Sequence, residues 1–118
     1  MPYKWIVPVT ITNGTSLSSV VDFLGGATRI GVIMPAAWTA ASLSFQVASS
    51  SGGTFDELTN EAGTAVNPSA AVAAGAAFSL DTSGPLLSPF RWFKVRSGTS
   101  GSPVSQGADR IINFVFQR

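Results

Sequence analysis

A chain of 118 residues in which 45% are hydrophobic and 11% charged holds enough apolar material for one domain with a modest core, and very little charge to cover it. A net charge of +1 offers no electrostatic footprint for nucleic acid or anionic lipid, and the absence of Cys and His excludes disulfides, thiolate metal sites and the Ser-His-Asp and Cys-His catalytic arrangements. The surface must be made largely of Ser, Thr, Gly, Ala, Asn and Gln, small groups that suit burial against a partner.

The first segment, Met-Pro-Tyr-Lys-Trp-Ile-Val-Pro-Val, lacks the basic, apolar and cleavage regions of a signal peptide, and no apolar run reaches the roughly 20 residues that span a bilayer. A soluble single domain over 1–118, made without an export signal and bound to no membrane, is the expectation. Trp5 to Thr12 reads as a strand with Trp5, Val7, Val9 and Ile11 on one face, and Pro8, which lacks an amide proton, suits a sheet edge. After the Asn13-Gly14 turn, Ser18 to Phe23 gives a short strand before Gly25-Gly26. Arg29 to Met34 gives a firmer one, with Ile30, Val32 and Met34 in phase until Pro35.

Leu43, Phe45 and Val47 alternate with Ser44 and Gln46 in a half-buried strand that enters the Ser-Ser-Ser-Gly-Gly-Thr turn and returns through Phe55, Asp56 and Glu57, so the stretch reads as a hairpin. A short strand over Thr54 to Thr59, a type I turn at Asn60 to Gly63 and a further strand at Thr64 to Asn67 follow. Ser69 to Ala77 is Ala-rich, but Gly75 and the lack of an amphipathic stripe favour a loop. Phe78 and Leu80 resume the period of two, and Gly84-Pro85 opens a loop that Leu86 and Leu87 pin to the core. In Phe90 to Ser97 the core face is that of Phe93 and Val95, shared with Arg91, while Trp92, Lys94 and Arg96 point the other way. A long small-residue loop, 98 to 109, precedes the closing strand, which puts Ile112, Phe114 and Phe116 inward. Turns at intervals of roughly 8 to 15 residues, with no internal repeat, predict an all-β fold: an antiparallel, jelly-roll-like β-sandwich of about eight strands.

Little in this inventory carries chemistry. Lys4 and Lys94 stand at a terminus and on an outward strand position, so neither offers the buried amine of a Ser-Lys pair. Asp56 and Glu57 are adjacent on a strand and point to opposite faces, so with Glu61 they read as a solvated hairpin tip or a partner for an arginine on a neighbour. There is no Asp-x-Asp-x-Asp loop for calcium, and the glycines form no phosphate cradle. No metal, no cofactor and no nucleic acid are expected. Tyr3, Trp5, Trp38 and Trp92 leave one alternative open, a stacking platform for a glycan on a carbohydrate-binding or adhesin module.

Two runs, "GVIMPAAWTAASLSFQVASSSGGTFDEL" at 31–58 and "FRWFKVRSGTSGSPVSQGADRIINFVF" at 90–116, resemble small structural proteins of tailed bacteriophages. Within that group the pattern is similar to β-sandwich proteins that decorate or cement the capsid, usually as trimers. The resemblance implies a non-enzymatic virion protein, made in the host cytoplasm and carried on the capsid surface, with itself and the major capsid protein or another virion protein as partners. On that reading Trp5, Trp38 and Trp92 are candidate interface anchors and Arg91, Lys94 and Arg96 candidate rim contacts, a plainly solvated face being the simpler reading of the three cations.

Overall fold

The structure, a computed structural model, describes residues 4–22, 27–66, 72–81 and 83–118, the side chains of 83 and 84 apart. Eight strands and one helical turn follow in chain order: β1 (Lys4–Ile11), β2 (Val21–Asp22), β3 (Arg29–Ile33), β4 (Leu43–Ala48), β5 (Asp56–Glu57), β6 (Ala77–Ser79), α1 (Ser83–Leu87), β7 (Trp92–Ser97) and β8 (Arg110–Gln117). They form two four-stranded sheets, of order β1-β8-β3-β6 and β2-β7-β4-β5.

The pairings explain the topology. The antiparallel pairs β1·β8, β2·β7, β3·β6 and β4·β5 are the rungs of one long hairpin whose tip is the β4–β5 turn. Rolling that hairpin brings β3 against β8 and β4 against β7 and closes each sheet. This is the jelly roll, and the sandwich expected from the turn spacing is what the chain adopts. Pro8 sits on β1, an edge strand, where its missing N–H leaves no ladder bond unmade.

The inward faces carry the predicted residues. Cross-strand rows Trp5–Phe116–Ile30 and Val7–Phe114–Val32–Phe78 line the first sheet, and Val21–Phe93–Val47 with Phe45–Val95 line the second. Val9, Ile30, Val32, Leu43, Phe45, Val47, Phe93, Val95, Phe114 and Phe116 are buried. Val7 and Phe78, also expected inside, are only half-buried because they lie on β1 and β6, edge strands flanked on one side alone. The Phe114 ring, from the first sheet, meets Phe93 at 5.4 Å and Phe45 at 6.4 Å from the second, both edge-on, and so ties the layers together.

Several local expectations need correction. The segment after Asp81 is not only a loop: α1 forms one turn there, with Pro85 in the first turn where a missing N–H costs nothing. Only Leu87 reaches the core; Leu86 is 43% exposed. Of the strand expected at Thr64 to Asn67, the described residues 64–66 contribute a single bridge, Thr59 with Ala65, and the expected strand at Thr54 to Thr59 shrinks to β5. Tyr3, Phe23, Gly25, Gly26, Asn67 and the start of the Ala-rich stretch lie outside the described residues.

Candidate packing surface

The outer face of the second sheet holds most of the sequence-nominated cations, and the structure gives each an internal partner. Arg96 alternates outward on β7 yet is 7% exposed, and segment 16–18 pairs alongside β7 with Leu17 opposite it. Its Nη1 donates to Glu57 Oε2 at 2.7 Å and to Ser44 Oγ at 3.1 Å, while Ser44 Oγ donates to the Gly98 carbonyl. Glu57 therefore belongs to its own chain's Arg96, which corrects the solvated-tip reading of Glu57. The register places Gln46 opposite Glu57 on β5 and Ser44 opposite Arg96 on β7, which makes Glu57 and Arg96 diagonal neighbours across β4.

Arg91 precedes β7 and escapes its alternation, so it does not share the Phe93 face. Its Nε and Nη2 grip both Asp22 oxygens at 2.9 and 3.0 Å, and its guanidinium lies 4.8 Å from the Trp92 ring centre. The Asp22 hydrogen bond, and then its charge, raise the Arg91 pKa above the ordinary arginine value, so this cation does not titrate. Lys94 Nζ lies 4.6 Å from the Phe55 ring centre. Trp92, Lys94 and Arg96 thus share one face with Arg91 beside them, but as an internally paired surface.

The other two tryptophans stand elsewhere. Trp5 points inward at the β8 C-terminal end, its ring 5.4 Å from Phe116 and under the Arg118 guanidinium. Trp38 sits in the β3–β4 connection, packed on the core and half-buried. Its neighbour Thr39 is held by Gln106, a residue with no exposure. Gln106 Oε1 accepts from Thr39 N at 2.9 Å and Arg110 Nε at 3.2 Å, and its Nε2 donates to Thr39 O at 3.1 Å and Ser97 Oγ at 2.6 Å. Every hydrogen-bonding position of the amide is filled, so loop 98–109, the β3–β4 connection and the start of β8 are fastened at one point.

Breaking the Arg96–Glu57 pair is expected to cost more than removing both partners. Glu57→Ala leaves a cation 8% exposed at its side chain with only Ser44 to satisfy it, a loss of about 2–3 kcal/mol after discounting for Glu57's 22% exposure. Arg96→Met, alone and with Glu57→Ala, removes the stranded charge and completes the cycle. Urea unfolding of the single and double variants should give a coupling of at least about 1 kcal/mol, and additive effects would contradict the pairing.

The surface that sequence reasoning missed is the outer face of the first sheet. The alternation that sends Val7, Phe114 and Val32 inward turns Ile6, Val115 and Gly31 outward in one row and Pro8, Asn113 and Ile33 in the next. Ile6 is 61% exposed, Ile111 51% and Ile33 43%, and among the described residues no element covers them. Gly31 has no side chain, and over it lies a depression of about 250 Å³ rimmed by Lys4, Arg29, Ser79 and Gln117. The signal was present: Ile6 on β1 and Ile111 and Val115 on β8 stand at the parity opposite the core residues, interspersed with Lys4, Pro8, Thr10, Asn113 and Gln117.

Among the described residues no group of three or more Asp or Glu side chains comes together as metal ligands. No described helix is long and apolar enough to cross a membrane.

The class these features define is an eight-stranded jelly-roll sandwich with exposed isoleucines on one outer sheet face. No family model matches the chain, and no curated protein matches it. Its fold is similar to that in the crystal structure of the SPBc2 prophage-derived protein YomS, with a TM-score of 0.60 over 100% of this chain and 96% of that one, at 12% identity.

Proposed function

We propose that this chain is a non-enzymatic structural protein of a tailed-phage particle, a capsid decoration or cement protein that oligomerises, as a trimer on the resemblance, and binds the assembled shell. The observation that carries the reading is the outer face of the first sheet, where Ile6, Ile33 and Ile111 stand exposed. Soluble monomers seldom expose contiguous apolar patches of this kind unless something packs there. The fold's likeness to a prophage-derived protein supports a phage setting. With few charges to desolvate, such a face is buried at little cost, and weak single contacts multiply when linked copies engage a lattice together.

The glycan-binding alternative is less well supported. Cations of the chain itself lie over the Trp92, Phe55 and Trp5 rings, occupying faces on which a sugar would stack. Purified protein added to particles lacking it should pellet with them, and Ile6→Asp with Ile111→Asp should abolish pelleting while leaving the melting curve in place. Pelleting unaffected by both substitutions would overturn the assignment of this face.

A further inference from the structure

Of the seven Lys and Arg residues, five have internal partners: Arg91 and Arg96 in ion pairs, Arg110 in hydrogen bonds to Gln106 and Thr39, and Lys94 and Arg118 over aromatic rings. Among the described residues, Lys4 and Arg29 have neither ion pair nor side-chain hydrogen bond. Both are exposed and both face outward in the same row of the first sheet, one on each side of Gln117. Two strand spacings separate their backbones, about 10 Å. Asp81 lies near Arg29 in the adjoining depression without reaching ion-pair distance.

The acids divide in a complementary way. Asp22 and Glu57 are paired with arginines, and Asp109 accepts from the Asn13 amide. Asp56, on β5 at the edge of the second sheet, and Glu61, in the turn that follows it, are exposed and have no ion-pair partner among the described residues. The chain therefore presents unspent positive charge beside the depression over Gly31 on one sheet and unspent negative charge on the β5 hairpin of the other.

We propose that the basic end of the first sheet's outer face docks the acidic β5 hairpin of a second copy, head to tail, with Lys4 and Arg29 of one copy facing Asp56 and Glu61 of the next. This rests on the reading above that the chain self-associates, and it names the contact. A head-to-tail contact differs from a twofold one in using two different surfaces, so it closes into a ring when the rotation allows. Exposed pairs contribute little each, so these four charges set partner choice and orientation while Val115 beside them supplies apolar burial. Association must then weaken as salt is raised.

Sedimentation velocity at micromolar concentration, at low and high salt, tests the contact. Wild-type protein should associate, less so in high salt. Lys4→Glu with Arg29→Glu, and separately Asp56→Lys with Glu61→Lys, should each weaken association at least about tenfold, and the fourfold combination, which swaps the charges, should restore it. All four positions are exposed, so the far-UV spectrum and melting curve should not move. Wild-type protein that stays monomeric, double variants that associate like wild type, or a fourfold variant that stays dissociated would each overturn the proposal. Charge variants that still associate and still pellet with particles would remove this contact and leave the decoration reading standing; protein that associates as proposed but never pellets would do the reverse.

Discussion

Phe114→Ala should lower stability by ~3–5 kcal/mol, the largest loss expected from any single substitution in this chain. Phe114 lies in the centre of β8, between β1 and β3, and has no solvent exposure. Its ring lies 5.4 Å from Phe93, 6.3 Å from Phe116 and 6.4 Å from Phe45, so truncation empties the space between the sheets and removes the edge-on contacts that join them. Because the cavity is bounded by other rigid rings on two sheets, little collapse can refill it. A domain of this size holds only ~5–15 kcal/mol in total, so the variant should unfold at a much lower urea concentration with an unchanged slope. A loss below about 1 kcal/mol would mean that Phe114 is not at the junction of the sheets.

Gln106→Ala should follow, at about 3 kcal/mol. The substitution removes an amide whose Oε1 and Nε2 serve Thr39, Ser97 and Arg110, and Ser97, with no exposure, has no access to replacement water. Unlike Phe114→Ala, it should act locally first. The β3–β4 connection loses its fastening, so Trp38 beside Thr39 should become more accessible to a fluorescence quencher below the main unfolding transition. A stability change within about 0.5 kcal/mol, the range of ordinary surface substitutions, would show that the network is dispensable.

These two residues also mark how far the sequence could be read. Phe114 was legible because Ile112, Phe114 and Phe116 share one parity on a strand long enough to fix its register, and the same logic located Phe45, Phe93 and Val95. Gln106 was not legible: within Gly-Thr-Ser-Gly-Ser-Pro-Val-Ser-Gln-Gly a single amide looks like solvated loop, and its burial depends on where three distant segments meet. The burial of Arg96 was not legible for a related reason. Alternation correctly turned it outward, but its bridge to segment 16–18 and its diagonal to Glu57 follow from pairings between strands far apart in the chain. The outer face of the first sheet was overlooked because each strand's apolar residues were assigned to one core, although Ile6, Ile111 and Val115 had the opposite parity and no core of their own. The tryptophans drew attention as anchors, yet Trp5 and Trp38 pack on the chain's own interior.

On the proposed function, the outer face of the first sheet that carries Ile6, Ile33 and Ile111 is a contact surface of an assembled particle. Cryo-electron microscopy of purified particles, with and without this protein, is the decisive measurement. Added density is expected on the shell, fitted by the jelly roll with Ile6, Ile33 and Ile111 buried against a neighbouring protein. Particles identical with and without the chain, or density in which that face stays open to solvent, would contradict it.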